Sequence, residues 1–174
     1  MIVLSDGIGH GIKAIVLGTL TASMALNYSS FHTKPEIAAR IIMRALPRSS
    51  DGKENYATFT LIEIDAEGRV RISNYDNPRT IILRGKNILD PAEYHVEIQG
   101  VENEGKILRI REFMARKEDR VIFLSDGITQ SGLGSNRFPM GWGRDKVEEF
   151  TISQVSRMPD ISATKLARKI LNQA

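Results

Sequence analysis

"VLSDGIGHG", residues 3–11, stands almost at the start of the chain, and its core "LSDGI" returns at residues 124–128 within "VIFLSDGITQSG". In both places an apolar run stops at Ser-Asp-Gly. Such an ending sets an aspartate at the end of a buried strand, and the glycine after it lets the chain turn sharply. An Asp-Gly pair alone is an ordinary turn dipeptide. Five repeated residues ask for more, because a turn needs neither the Leu-Ser before it nor the Ile after it. The repeat predicts that Asp6 and Asp126 come together at one edge of the central sheets, delivered by buried, neighbouring strands at 1–5 and 121–125.

Two carboxylates held close repel unless they share a proton or a cation. The chain has no cysteine, which excludes disulfides and thiolate sites and leaves Mg²⁺ and Mn²⁺ as the cations best suited to all-oxygen ligands. The carbonyl of Gly7 is within reach as a further donor. His10 lies between Gly9 and Gly11, where helix-entry N–H groups can face an anion and an imidazole can donate a proton. A histidine that only caps or packs the turn fits the pattern equally well. His32 and His95 have no partnering pattern and read as surface or strand residues.

Working outward, "IKAIVLGTLTASMALNYSSF" repeats apolar residues at helical spacing, and "TKPE" at 33–36 predicts a capping box with Thr33 at the N-cap of a second helix. "PRSSDGKEN", residues 47–55, is a polar loop. From residue 56 the period becomes two, through "YATFTLIEID", "RVRISNY", "RTIILR", "YHVEI", "KILRIREF" and "DRVIFLS", which predicts an antiparallel meander. After the second "LSDGI" a glycine-rich run, residues 132–143, predicts a mobile flap with Phe138 and Trp142 as anchors. Two helical patterns, "RDKVEEFTISQVSRM" and "SATKLARKILNQ", close the chain.

A chain of 174 residues, 41% hydrophobic, predicts a single domain over 1–174. No apolar run reaches the roughly 18 residues of a membrane span, which predicts no membrane contact and a cytoplasmic location, alone or as the cytoplasmic domain of a larger protein. The net charge of +3 is spread among acidic residues, unlike the basic stripes that bind nucleic acid. The first strand has almost no chain before it, and the last helix ends without a C-cap, so a fragment trimmed at both ends is expected.

With "LSDGIGHG", "ATFTLIEID", "RVRISNYDNPRTIILR" and "FLSDGITQSG" in this order, the chain resembles the SpoIIE-type branch of the PP2C (PPM) protein serine/threonine phosphatases over nearly its whole length. The resemblance implies an α+β fold, the PP2C-like αββα sandwich of antiparallel sheets with outer helices. It implies a hydrolase with two ions, Mn²⁺ or Mg²⁺. Carried over by motif, Asp6 would bridge both metals, the Gly7 carbonyl would bind one, and Asp126 would be a further metal-binding carboxylate. Catalysis would rest on Asp6 and Asp126, with His10 as a candidate proton donor. The implied substrate is a phosphoprotein, such as an anti-anti-sigma-like protein in bacterial signalling or sporulation control.

The family's other metal-binding aspartates, before the first motif and after the last helix, lie outside this sequence, so weak Mn²⁺ binding and little activity are expected of this stretch alone. Where many relatives carry Asn-Ala-Gly-His, this chain has Asn74, Tyr75, Asp76 and Asn77, a change at the site rim that bears on substrate. The competing readings are a phosphatase-like module that binds a partner without turnover, and a structural domain in which both Asp-Gly pairs are corners.

Overall fold

The computed structural model describes residues 1–29, 33–46, 57–98, 105–136 and 138–174. The predicted polar loop at 47–55 and His32 lie outside them. In chain order the elements are β1 (Ile2–Gly7), α1 (Gly11–Tyr28), α2 (Pro35–Ala45), β2 (Ala57–Ile64), β3 (Arg69–Tyr75), β4 (Ile81–Arg84), β5 (Asn87–Ile88), β6 (Glu93–Glu97), β7 (Ile107–Met114), β8 (Asp119–Ile122), α3 (Asp126–Thr129), α4 (Arg144–Arg157) and α5 (Ala163–Gln173). They group into two compact units, one of Met1–Asn77 with Pro91–Ala115, the other of Pro78–Asp90 with Arg116–Ala174.

The first unit holds a five-stranded antiparallel sheet in the order β1-β2-β3-β7-β6. Side chains alternate between its two faces, both of them buried along β2 and β3, and the residues in step with Phe59 form one face. Phe59, Leu61, Tyr75, Leu108 and Ile110 pack there with Ala25 of α1 and Ala39 and Ile42 of α2. Helix α1 buries Leu17, Gly18, Thr21 and Ala25, while Ile12, Ile15, Val16 and Leu20 on its other side are exposed. At α2 the N-cap is Lys34, one residue later than the capping box predicts, and it makes no side-chain cap bond. Pro35 fits the first helical turn because its missing N–H has no intrahelical partner to lose. The Lys34 carbonyl accepts from the N–H groups of Ile37 and Ala38.

The predicted single meander is corrected. Strand β3 pairs with β7, whereas β4 leaves to form a second sheet, β5-β4-β8. The cause lies at residues 76–78. Asp76 takes a left-handed backbone with φ of 60°, and Pro78 has no N–H for a ladder, so the strand cannot continue into a hairpin beside β3.

The second unit buries Ile81 and Leu83 of β4 against Val147 and Val155 of α4 and Leu166 and Ile170 of α5, with Trp142 and Ile161. These helical residues recur at i, i+4 and i+8, the spacing of one helix face. Ser162 caps α5 by accepting from the Lys165 N–H. Arg120 of β8 donates to the carbonyls of Pro159 and Ile161 at 2.6 and 2.8 Å, fastening the α4–α5 connection to the strand.

Candidate active site

Strand β1 delivers Asp6 in register with Thr58 of β2. Ser5 Oγ donates to the Thr58 carbonyl at 2.8 Å, and Thr58 Oγ1 donates to the Asp6 carbonyl at 3.4 Å. Val3 packs towards the helices, so alternation sets Leu4 and Asp6 on the opposite face. Asp6 is half-buried, and Gly7 beside it is buried. The strand enclosing Asp6 is less buried than predicted, since Met1 and Ile2 are 58% and 54% exposed.

Gly7 decides how the helix arrives. A Cβ on Gly7 would lie 2.0 Å from the Ala14 carbonyl oxygen, and one on Gly18 would lie 3.4 Å from the Ser5 carbonyl oxygen and 3.3 Å from the Gly7 nitrogen. Helix α1 therefore lies on β1 backbone to backbone. Between them Gly9 and Gly11 take φ of 92° and 74°, a region closed to most side chains. His10 is the extended N-cap residue of α1, yet its side chain makes no cap bond. It is exposed, so it neither caps nor packs the turn.

The second "LSDGI" folds differently. Strand β8 ends at Ile122, residues 121–125 are half-buried rather than buried, and Asp126 is exposed as the first residue of the one-turn α3. The Asp126 carbonyl accepts from Gln130 N–H at 2.7 Å and from Thr129 Oγ1 at 3.2 Å. Its Oδ2 accepts from Gln130 Nε2 at 3.1 Å. Asp6, Gly7 and His10 thus share one turn of the first unit, and Asp126 belongs to the second.

The glycine-rich run after Asp126 folds back onto α3. Trp142 N–H donates to Ser131 O and Gly143 N–H to Thr129 O, at 2.9 and 2.8 Å. Trp142 is buried and meets Phe150 edge-on at 5.6 Å. Phe138 packs against the same core.

The turn at residues 74–77 is held by two residues that sequence reasoning missed. Thr60 Oγ1 accepts from Asn74 Nδ2 at 3.2 Å and from Asn77 Nδ2 at 3.0 Å. Arg109 donates from a guanidinium nitrogen to the Asn77 carbonyl at 3.2 Å. Thr60 gave only a weak signal, a hydroxyl in a strand that also carries Thr58 and Glu63. Arg109 gave none, because its pairing is non-local.

Asp6 and the Gly7 carbonyl are hard oxygen donors of the kind Mg²⁺ and Mn²⁺ take. They make one carboxylate and one carbonyl, short of a two-ion donor set. Among the described residues, no group of three or more His, Asp or Glu side chains is placed to hold a metal ion. Among them, too, no helix is long and apolar enough to cross a membrane.

The model of the family described as Stage II sporulation protein E (SpoIIE) matches residues 1–173. A solved structure of the PP2C phosphatase domain and a fragment of the regulatory domain of the cell fate determinant SpoIIE from Bacillus subtilis is 18% identical, with a TM-score of 0.65. The match covers 99% of this chain and 48% of that one, so this chain spans about half its length. The phosphatase domain of SpoIIE from Bacillus subtilis, in a crystal form without domain swapping, is 16% identical with a TM-score of 0.53, over 98% of this chain and 70% of that one. These likenesses establish the fold, mixed antiparallel sheets and helices of the PP2C phosphatase type. No curated protein matches the chain.

Proposed function

The chain belongs to the SpoIIE family, and from that premise we propose that it is a metal-dependent PP2C-type phosphatase domain that hydrolyses phosphoserine or phosphothreonine in a signalling phosphoprotein. The observation that carries this reading is the family match over residues 1–173. The repeated "LSDGI" supports it at the level of chemistry. Asp6 and Asp126 are proposed to meet at a Mn²⁺ or Mg²⁺ centre, with the Gly7 carbonyl as a further ligand. Ions bound there would supply an activated water and neutralise phosphoryl oxygens.

The chain itself contributes placement. Pairing with β2 carries Asp6 on a strand instead of a loop, and the Gly7 and Gly18 contacts hold α1 against that strand. His10, exposed at the entry of α1, is proposed to face the substrate as a proton donor. An anti-anti-sigma-like protein suits the proposed substrate class, and the Asp76 turn, locked by Thr60 and Arg109, is proposed as part of the rim that reads it.

Phosphate release from a phosphoserine protein by the full-length protein, followed across a Mn²⁺ titration, tests the reading. Metal-dependent release that falls on the order of 100-fold or more in Asp6→Asn is expected. Binding of the phosphoprotein without release at any Mn²⁺ concentration would favour the partner-binding module instead.

A further inference from the structure

In the first unit, far from the Asp6 turn in sequence, Glu63 of β2 is 2% exposed and Arg71 of β3 is 6% exposed. They face each other in register. Arg71 Nε and one terminal nitrogen both reach Glu63 Oε2, at 2.8 and 2.6 Å. Both bonds therefore go to one carboxylate oxygen, and Glu63 Oε1 has no hydrogen-bond partner among the described residues. The same holds for the hydroxyls of Ser29 and Ser73, which are 6% and 2% exposed.

These atoms are not scattered. Ser29, Glu63 and Ser73 line one cavity of about 10 Å³, with Thr33 and Pro35 at the start of α2 and Arg71 alongside. That volume is about what one water needs, and a buried water typically makes about three hydrogen bonds to polar groups that would otherwise lack them. A carboxylate oxygen only accepts, whereas a hydroxyl both donates and accepts. One water can donate to Glu63 Oε1, and its remaining proton and lone pairs can serve the two hydroxyls.

We propose that this cavity is a hydration site, in which one ordered water bridges Glu63 Oε1, Ser73 Oγ and Ser29 Oγ. The water completes the carboxylate half of the buried ion pair. It also ties Ser29, the C-cap residue of α1, to the central strands β2 and β3. Helix α1 is then fixed at both ends, by glycine contact to β1 at its start and through the water at its finish. The site is independent of the phosphatase reading, since it involves neither Asp6 nor Asp126.

A high-resolution crystal structure of the full chain, with a water–amide exchange NMR experiment in solution, tests this directly. One long-lived water within hydrogen-bond distance of Glu63 Oε1 and both hydroxyls is expected. A dry cavity, or serine hydroxyls bonded straight to Glu63, would overturn the proposal. The functional tie is read by a double-mutant cycle in urea. Ser73→Ala alone should lower the folding equilibrium constant by about 10-fold, and Ser29→Ala added to it by about 3-fold or less, because the bridge is already broken. Strictly additive losses would contradict the shared water.

Discussion

Gly7 carries no side chain, and that absence sets where α1 can lie. A methyl group there would sit 2.0 Å from a backbone carbonyl oxygen that belongs to a helix and cannot swing aside. Gly7→Ala should therefore cost about 3 kcal/mol or more in urea unfolding. At Gly18 the nearest atoms to an added methyl are 3.3 and 3.4 Å away, and alanine gains about 1 kcal/mol of helix propensity. Gly18→Ala should fall within about 1 kcal/mol of the parent. Equal losses at the two positions would show that the close helix–strand contact is not the role of Gly7. The first motif was legible for the same reason, since a glycine after the aspartate and glycines on both sides of His10 announce a strand, a tight turn and a helix entry. The second copy was less legible, because different residues come after it. Thr129 and Gln130 close a helical turn directly on the Asp126 carbonyl, so the same five residues give a strand end once and a helix start once.

Strand existence was readable from the period of two, and strand partnership was not. Alternation says which face a residue takes but not which strand lies beside it, and β3 finds β7 across an excursion into the other sheet. Only the Asp76 and Pro78 pair hinted at that departure. Within the second sheet, Arg84 and Asp119 stand opposite each other in β4 and β8. Two guanidinium nitrogens reach the two carboxylate oxygens at 3.0 and 2.8 Å, and Arg116 N–H donates to the same carboxylate at 2.8 Å. The hydrogen bonds from Arg84, chiefly, hold the Asp119 carboxyl below its ordinary value of 3.8. A carboxylate whose folded pKa is depressed stabilises the fold above its ordinary pKa, and that contribution is lost as pH falls through the folded value. Asp119→Asn should accordingly lower Tm near neutral pH, with the deficit shrinking in acid below 3.8. A deficit that stays constant across that range would mean the pair acts by shape alone.

At the scale of the molecule, each unit is assembled from two separated stretches of chain, so no local pattern could divide them. The family and the α+β class were legible, because the order of the motifs spans nearly the whole sequence. The assignment of β4, β5 and β8 to a sheet of their own was not, since it depends on pairings between residues far apart. The divalent-ion centre proposed for the two "LSDGI" turns can be read by paramagnetic broadening with Mn²⁺. With the full-length protein labelled for amide NMR, resonances of residues around Asp6 and around Asp126 should bleach together at the same low Mn²⁺ concentration, and excess Mg²⁺ should restore both. Bleaching at only one of the two turns, or at neither, would contradict the account.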